Sequence, residues 1–454
     1  MADVISRGAL AQAAATDGGG KARINLAEDL TIMSQSMAAA ACIIDLEFDV
    51  GHERDVLTAA RDEFIHMLHA LEFGEAALGV PTAEHNSKAI RAIRAVHEAW
   101  TPFEAAINDV IADENVAEAV AIIIETNGDL LEKAEYLVST IVAEHTNPNE
   151  TMLADAIAIT IAERQEMLSQ KMVLEACEIE GNYSDPRVVE RFKETLSLYE
   201  NSLIALRDGM PMVGVNPPPN DEIKYELDLA WDEWMQAKPV LEMIHANSSA
   251  AEEEVLHVRD VAEILDRRMH TIVIQYLLST PGSDDIYKLP MLAYLDNTLM
   301  AWVQDPIVID AVRAANAEHK NLSQAQLEQL EIDWEAEIIA GGGPLSERIE
   351  QNQASAFLRA RHDASKNIVT EIFVMDTHAL NVAESEVTAE YWHAEDERFA
   401  LTVGNRSGDI HISDVHLEEG GHVYQSQISV PIEDPDTGEL IGVMTFGINI
   451  QSMF

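Results

Sequence analysis

Apolar residues recur at three- and four-residue spacing from residue 21 to about residue 280, which is the pattern of amphipathic α-helices. Ala, Glu, Leu and Met are abundant in this region, and all four favour helices. Segments rich in Gly, Pro, Asn and Asp interrupt the pattern near residues 49–51, 79–81, 112–114, 147–149, 181–186, 209–219, 246–249 and 280–285. The spacing predicts eight helices in two sets of four, with loops short enough for antiparallel neighbours.

The two sets of four helices resemble one another in sequence. At an offset of 135 residues, the segment from Ile24 to Cys42 aligns with the segment from Ile159 to Cys177. Identical pairs are Ile24/Ile159, Ala27/Ala162, Glu28/Glu163, Ser34/Ser169, Gln35/Gln170, Met37/Met172, Ala41/Ala176 and Cys42/Cys177. The same offset matches 68–74 to 203–209, so we predict an internal duplication with one four-helix bundle over 21–147 and a second over 148–281.

The net charge of −51, from 29 Lys and Arg against 80 Asp and Glu, excludes several function classes. Nucleic acids and anionic membranes are bound through Lys and Arg, and this chain would repel both. Hydrophobic residues make up 47% of the sequence, enough for large cores, so the charge does not indicate disorder. The sequence contains no run of 18 or more apolar residues, so no membrane span is predicted, and no signal peptide is visible.

The pattern changes after residue 280. A helical stretch is expected over roughly 286–336, and Gly341–Gly343 interrupts it. Alternating and β-branched residues predict strands over 371–376, 409–415, 424–430 and 440–446, with a hairpin turn at 433–439. We therefore expect a mostly α-helical chain, in which the two bundles are followed by a separate α+β domain over 286–454 with an antiparallel sheet.

The duplicated segment resembles the start of the type IV pili methyl-accepting chemotaxis transducer N-terminal domain, a family related to the periplasmic four-helix sensors of nitrate/nitrite kinases. The first helix of that family carries a pattern like I-N-x-A-G-R-Q-R-M-L-S-Q-R-M. The second copy keeps Ile159, Ala162, Arg164, Gln165, Met167, Leu168, Ser169, Gln170 and Met172, and the first copy keeps Ile24, Asn25, Leu26, Ala27, Ser34, Gln35 and Met37. The resemblance implies a sensor fold over about 21–145 and 149–280.

The same resemblance implies that an arginine of the motif grips an anion, since a planar guanidinium pairs with a planar oxyanion. At the position before Met-Leu-Ser-Gln, however, this chain has Thr31 and Glu166. The candidate residues for an anion site in the second bundle are Arg164, Ser169, Gln170 and Lys171. The alternative is that Ser169, Gln170 and their counterparts Ser34 and Gln35 are only helix-packing residues.

The segments 371–382, 387–398, 424–432 and 441–448 resemble a Cache-type, PAS-like sensor domain. The resemblance implies one long leading helix over 288–336, and a small ligand held between the sheet and its covering loops by aromatic and charged groups. The candidate ligand-binding residues are Tyr391, Trp392, Arg398, Asp414 and Tyr424. In the alternative interpretation Tyr391 and Trp392 plug the sheet, and Arg398 forms a salt bridge outside it.

Other chemistries find little support in the sequence. Glu-x-x-His spacing, which could serve a di-metal carboxylate site in a bundle, occurs at Glu63/His66, Glu242/His245 and Glu254/His257. The same acid–histidine spacing at Asp49/His52, Glu390/His393 and Glu419/His422 lies outside the bundle interiors. No phosphate-binding loop, nucleophile elbow or H-E-x-x-H motif is present, so we expect no enzymatic activity, no cofactor and no metal. Cys42 and Cys177 form either a disulfide between the bundles or two buried thiols.

The sequence therefore predicts a sensor-type protein of signal transduction or chemotaxis that binds a small molecule and reports to a signalling partner protein. A homodimer is an open alternative, and neither nucleic acid nor a membrane span is expected. We expect a periplasmic or extracellular mature form, with the cytoplasm as the alternative because no signal peptide is visible. The competing functions are a structural or interaction protein built on helical bundles, and a metal-binding bundle.

Overall fold

The computed structural model describes residues 20–75, 78–145, 153–181, 183, 187–279, 284–404, 410–417 and 423–453. The internal packing of the chain divides it into two compact units. We call the part up to residue 284 the helical unit and the part from residue 285 onward the C-terminal unit. None of the described helices is both long enough and apolar enough to cross a membrane.

The helical unit consists of eight described helices, as the periodicity predicts. They are α1 Gly20–Asp45, α2 Val50–Phe73, α3 Ser87–Ile111, α4 Val116–His145, α5 Leu153–Gly181, α6 Val188–Asp208, α7 Asp221–Asn247 and α8 Glu252–Ser279. Helix α1 packs against α2 and α4, and α3 packs against α4. The second set repeats this arrangement, because α5 packs against α6 and α8, and α7 packs against α8.

Helices α1 and α5, the first helix of each set, also pack against one another. A disulfide joins Cys42 to Cys177, and both residues are fully buried. Glu28 and Glu163, which are separated by the same 135 residues, lie close enough for the Glu28 carboxyl to raise the pKa of Glu163, in addition to the larger effect of burial. The disulfide and this electrostatic interaction occur at one offset and indicate that α1 and α5 run parallel and in register. Of the two states that the sequence allows for the cysteines, the structure has the disulfide.

Local geometry recurs at equivalent positions of the two sets. Phe64 stacks on Trp100 with ring centroids 4.2 Å apart, and Tyr199 lies against Trp234 with centroids 4.7 Å apart. These pairs occupy corresponding places on α2 and α3 and on α6 and α7. The recurrence supports the predicted duplication, which remains a proposal.

Two glycines end α2 and α6 in the same unusual backbone conformation. Gly74 has φ of 83° and Gly209 has φ of 80°, and the amide of each donates to a carbonyl four residues earlier. A Cβ atom at Gly74 would lie 2.5 Å from the carbonyl carbon of Thr82, and one at Gly209 would lie 2.8 Å from the nitrogen of Pro217. Only glycine fits both the dihedral angle and the space.

The C-terminal unit begins with helices, where the expectation of one long leading helix over 288–336 is wrong. The described helices are α9 Asp284–Tyr294, continued by a π-helical turn Leu295–Leu299, then α10 Met300–Val303, α11 Pro306–His319, α12 Gln324–Ala340, α13 Pro344–Glu350, α14 Gln353–Ala364 and, after two strands, α15 Glu397–Gly404. Asp305 accepts a hydrogen bond from the Ile307 amide and Pro306 opens α11. Ser323 and Gln326 form a capping box that starts α12.

A six-stranded antiparallel sheet completes the described part of the C-terminal unit. Its strands are β1 Val369–Asp376, β2 Asn381–Glu384, β3 His411–Ile412, β4 His416–Leu417, β5 Tyr424–Glu433 and β6 Leu440–Asn449. They follow the order β2-β1-β6-β5-β3, and β4 also pairs with β5. The expected antiparallel sheet and the β5–β6 hairpin are confirmed, whereas β2 and β4 were not predicted.

The two faces of the sheet differ in what covers them. Phe446 of β6 lies 6.1 Å from the ring of Trp302 on α10, so helices cover that face. Phe373 and Met375 of β1 point to the opposite face, where Phe399 of α15 packs on them and Trp392 lies at the edge of the cluster. Residues 391–404 therefore cover the face on which we expected a ligand.

Candidate functional site

A cleft of about 540 Å³ lies in the C-terminal unit between α11, the α13–α14 segment and the start of β2. Its lining combines apolar residues of α11 with polar groups that include Glu318, His319, Arg348, Asn381 and Tyr391. This volume falls within the usual range for small-molecule sites. The cleft is therefore a candidate ligand site of this unit.

Tyr391 forms one wall of the cleft through two contacts. Its ring stacks on the buried Trp334, with centroids 5.1 Å apart, which fixes the orientation of the side chain. Arg348 donates from Nη2 to the Tyr391 hydroxyl at 3.4 Å and from Nη1 to Glu318 Oε1 at 2.7 Å. Burial raises the pKa of the Tyr391 phenol to about 12, so the cleft presents a neutral hydroxyl beside a guanidinium.

Asn381, the first residue of β2, adds an unsatisfied acceptor to the lining. Its side-chain amide donates to Thr388 Oγ1 at 2.7 Å and to the Glu390 carbonyl at 3.0 Å. Its Oδ1 atom is buried and accepts no hydrogen bond within the described structure. Since nearly all buried polar atoms are paired in native proteins, an orphaned oxygen in a cleft is a feature that a ligand donor would satisfy.

A buried hydrogen-bonded pair, His319 and Asp376, lies beside the cleft. His319 Nδ1 lies 2.5 Å from Asp376 Oδ2, and both residues are almost inaccessible to solvent. Asp376 also accepts the amides of His378 at 2.8 Å and Leu380 at 3.1 Å through Oδ1. This carboxylate thus ties α11 to the turn between β1 and β2 and positions Asn381 one residue further on.

The structure does not bring all five predicted ligand-binding residues together. Among them, Tyr391 alone lines the cleft described above. Trp392 donates from its indole to the His378 carbonyl at 2.9 Å, and Asp414 is exposed. Tyr424 is buried at the start of β5, opposite Leu417. Trp392 packs against the cluster on the sheet, whereas Tyr391 stacks on Trp334 of α12.

Arg398 serves the packing around the sheet. It donates from Nε to Asp396 Oδ2 at 2.8 Å and from Nη1 to Gln427 Oε1 at 2.6 Å, and its guanidinium lies over the ring of Phe373. The residue is half-buried with its charge compensated. It joins the covering segment to β5 and takes no part in the cleft.

Within the described residues, one group of side chains has the spacing of a metal site, namely Glu390, His393 and Asp396. His393 Nδ1 lies 3.0 Å from Asp396 Oδ2 and 3.7 Å from Glu390 Oε2. The same Asp396 oxygen already accepts from Arg398, and a guanidinium at that distance opposes a cation. The group is therefore an ion-pair network whose donor set fits a metal poorly.

The acid–histidine pairs of the bundles do not come together in a bundle interior. Glu63 and His66 are exposed, and His66 contacts Glu75 at 2.7 Å. Glu242 and His257 are also exposed. A di-metal carboxylate site needs these side chains to project inward, so the pairs do not form one.

The four residues of the predicted anion site in the second bundle are also dispersed. Arg164 is exposed on α5, whereas Ser169 is buried and donates to the Glu166 carbonyl at 2.7 Å. Gln170 is half-buried and hydrogen-bonds Asp266 of α8, which lowers the pKa of that carboxyl slightly against a larger effect of burial. Lys171, the next residue along α5, lines a separate cleft between α1, α4, α5 and the start of α6. No shared anion pocket forms from these four side chains.

Where the family motif has its arginine, this chain forms a cluster of acidic side chains, which we call the acid cluster. Its members are Glu28 and Asp29 of α1, Glu163 and Glu166 of α5, and Asp266 of α8. Burial raises the pKa of Asp29 to about 8 and that of Glu28 to about 7. Burial and neighbouring carboxylates raise the pKa of Glu163 and Glu166 well above the usual range.

Charged and titratable neighbours face the acid cluster from other helices. Arg164 lowers the pKa of Glu28 and Glu135 raises it, and Glu63 raises the pKa of Asp29. His270 Nδ1 lies 3.9 Å from Glu166 Oε2. Five carboxyl groups against these few cations make the cluster unsuited to nitrate, as Thr31 and Glu166 in the motif predict.

Comparison with known proteins bears on the second set of helices. Residues 149–261 match the family model described as type IV pili methyl-accepting chemotaxis transducer N-term. The match begins just before α5 and ends within α8. It supports the resemblance drawn from the Met-Leu-Ser-Gln segment, and it supports a sensor role in signal transduction. No curated protein shows a significant match to the chain.

The matched transducer segment lies wholly outside the C-terminal cleft. The residues that shape that cleft, Arg348 and Asn381, were missed by reasoning from the sequence. Arg348 follows the glycine run in a short helix that carries no motif, and Asn381 opens a four-residue strand. An Asn-x-x-Ser segment at Asn352, where the Ser355 amide donates to Asn352 Oδ1 at 2.8 Å, is a local signal that a helix begins beside the cleft.

Proposed function

We propose that the protein is a sensor of signal transduction or chemotaxis that binds a small molecule in the cleft of its C-terminal unit. The transducer match over 149–261 supports the signalling role. The observation that carries the ligand site is the convergence of Arg348, the Tyr391 hydroxyl and the unsatisfied Asn381 Oδ1 on one cleft. Two donors beside one orphaned acceptor favour a ligand that presents both kinds of group.

The chemistry of these groups favours a small hydroxycarboxylate. Its carboxylate would accept from Arg348 and from the Tyr391 hydroxyl, and its hydroxyl would donate to Asn381 Oδ1. Arg348 is already paired with Glu318 at 2.7 Å, so the ligand would have to replace a side-chain carboxylate of the protein. Such an exchange links ligand binding to the position of α11, which carries Glu318, and supplies two conformations for a signal.

We further propose a Cache-like identity for the C-terminal unit and an oxidising compartment, periplasmic or extracellular. The antiparallel sheet flanked by helices supports the first proposal. The buried Cys42–Cys177 disulfide supports the second, because such bonds are rare in reducing compartments. A signalling partner protein would receive the conformational change.

Thermal unfolding in the presence of lactate, malate, tartrate and citrate tests the ligand site. At least one of these acids should raise the melting temperature, because a ligand bound to the folded state alone stabilises it. Arg348→Ala should abolish the increase and Asn381→Ala should weaken it. Arg361→Ala, an exposed arginine of α14, is the matched control. If none of the acids stabilises the chain, or if the Arg348 variant responds fully, the ligand site is wrong.

A further inference from the structure

A second cleft, of about 720 Å³, lies in the helical unit between α1, α4 and α5 and the start of α6. Its lining contains three basic residues, Lys171, Arg187 and Arg191, and three acidic residues, Glu125, Glu175 and Glu178. Equal numbers of the two charges are unexpected in a chain with 29 basic and 80 acidic residues. The cleft therefore concentrates cations that most of the surface lacks.

One side of this cleft is held in place by paired groups. Gln35 Nε2 donates to Asn127 Oδ1 at 3.1 Å, and Asn127 Nδ2 donates back to Gln35 Oε1 at 3.2 Å. Both residues are buried, so this double hydrogen bond fixes α1 against α4. On the other side Arg191 forms a hydrogen-bonded ion pair with Glu178. The walls of the cleft are thus preorganised.

Glu175 differs from these paired residues. Its side chain is 1% exposed, and neither carboxylate oxygen is in a well-formed hydrogen bond within the described structure, although the Thr195 hydroxyl of α6 lies near enough to lower the pKa of this carboxyl. Its nearest ionic contact is Arg191 Nε at 3.6 Å, beyond hydrogen-bond length. A buried carboxyl group without a well-formed hydrogen bond is costly, and a donor from a ligand in the cleft would relieve that cost.

Lys171 lies one helical turn before Glu175 on the same face of α5. The two side chains interact electrostatically, since Lys171 lowers the pKa of Glu175 against the larger effect of burial. Within the described chain, however, the Lys171 ammonium makes neither a hydrogen bond nor an ion pair shorter than 4.0 Å. A positive and a negative group therefore lie one helical turn apart in the lining of one cleft.

We propose that this cleft binds a small zwitterion of the α-amino acid class, with its ammonium group on Glu175 and its carboxylate group on Lys171. An α-amino acid carries its ammonium and carboxylate groups on one carbon atom, so its two charges lie close enough together to face two side chains one helical turn apart. Binding would satisfy the Glu175 oxygens and bring no net charge into the helical unit. The inference does not rest on the proposed function, because it concerns other helices and other residues.

The duplication argues that the Lys171–Glu175 pair is not required by helix packing. The positions 135 residues earlier on α1 are Ser36 and Ala40. Ala40 is buried within the first set of helices, as Glu175 is within the second. Helix α1 therefore packs in the equivalent place without either charge, and the polar pair is a feature of α5 alone.

Isothermal titration calorimetry of the full chain with each of the standard L-amino acids tests this proposal. We expect at least one to bind, and we expect Lys171→Met and Glu175→Gln each to weaken Kd roughly 10- to 100-fold, the loss expected for a hydrogen bond to a charged group. Lys133→Met, at a lysine of α4 outside the cleft lining, is the matched control and should bind as the parent protein does.

Two analogues of the best-bound amino acid sharpen the test. The amine that lacks the carboxylate and the acid that lacks the ammonium should each bind at least about tenfold more weakly, because each leaves one charged group of the cleft unpaired. Far-UV circular dichroism of both variants checks that they fold. Failure of every amino acid to bind, or unchanged Kd in both folded variants, would overturn the proposal.

Discussion

Removal of the Cys42–Cys177 disulfide should destabilise the helical unit strongly. The bond closes a loop whose ends are 135 residues apart, and both cysteines are fully buried between α1 and α5. In the chain-entropy model, a loop of this length restricts the unfolded chain by about 5 kcal/mol at 25 °C. Because measured values often fall below the model, we expect a loss of about 3–5 kcal/mol in the free energy of unfolding.

Thermal unfolding followed by far-UV circular dichroism measures this loss. For chains of 150–250 residues, 1 kcal/mol corresponds to about 2–4 °C in melting temperature, so a reductant should lower the transition of the helical unit by roughly 10 °C. The double variant Cys42→Ala with Cys177→Ala should melt near the reduced parent protein and should not respond to reductant. The reasoning is refuted if the parent melts at the same temperature when mass spectrometry shows both thiols to be reduced.

Three further predictions concern other parts of the chain. The acid cluster has pKa values reaching about 7–8 in the folded state, against 3.8 and 4.5 for free Asp and Glu, so the unfolded chain loses these protons first and stability should fall as pH rises from about 4 to 8. Urea unfolding at several pH values in this range measures how steeply the free energy of unfolding falls. Glu163→Gln should make that fall less steep, and an equally steep fall in the variant would contradict the assignment. Gly74→Ala should lower the free energy of unfolding by at least about 2 kcal/mol, because the φ of 83° at Gly74 and the nearby Thr82 backbone exclude a side chain. Gly128→Ala, on the exposed face of α4, should raise it by about 0.5–1 kcal/mol, and equal urea midpoints for the two variants would refute the argument. Asp376→Ala should destabilise the C-terminal unit by about 3 kcal/mol, because it leaves His319 and two backbone amides without their acceptor. Urea unfolding followed by tryptophan fluorescence measures this loss, and a change below about 0.5 kcal/mol would show that the His319–Asp376 pair contributes little.

The helical unit was predictable because its signal is local. Apolar spacing defines each helix, and the breakers between helices are short clusters of Gly, Pro, Asn and Asp that act within a few residues. In the C-terminal unit the hairpin between β5 and β6 was predictable for the same reason. The break before α11 was also visible in the sequence, since Asp305–Pro306 is a helix-start signal, but the apolar pattern on both sides suggested one continuous helix.

The sites were less predictable because they depend on contacts between distant segments. Arg348 and Tyr391 are 43 residues apart, and their contact depends on how α13 folds back beside β2. The sequence argument, which selects aromatic and charged residues near strands as ligand-binding candidates, selected Tyr391 and Arg398 alike. In the structure Arg398 donates its hydrogen bonds to Asp396 and Gln427. Sequence supplies the chemistry of such side chains, whereas the fold decides which of them meet in a cleft.

The parallel, disulfide-linked pair of α1 and α5 has a consequence for assembly. Two helices that share an aligned sequence segment and meet at Cys42 and Cys177 make the kind of interface that a twofold-symmetric dimer makes, here within one polypeptide. Dilution does not separate the two halves of such an interface, because both belong to one chain and meet intramolecularly at any protein concentration. Each half is also encoded separately, so a substitution changes one side alone. A symmetric homodimer cannot acquire a lysine and a glutamate on one helix while keeping Ser36 and Ala40 on the other.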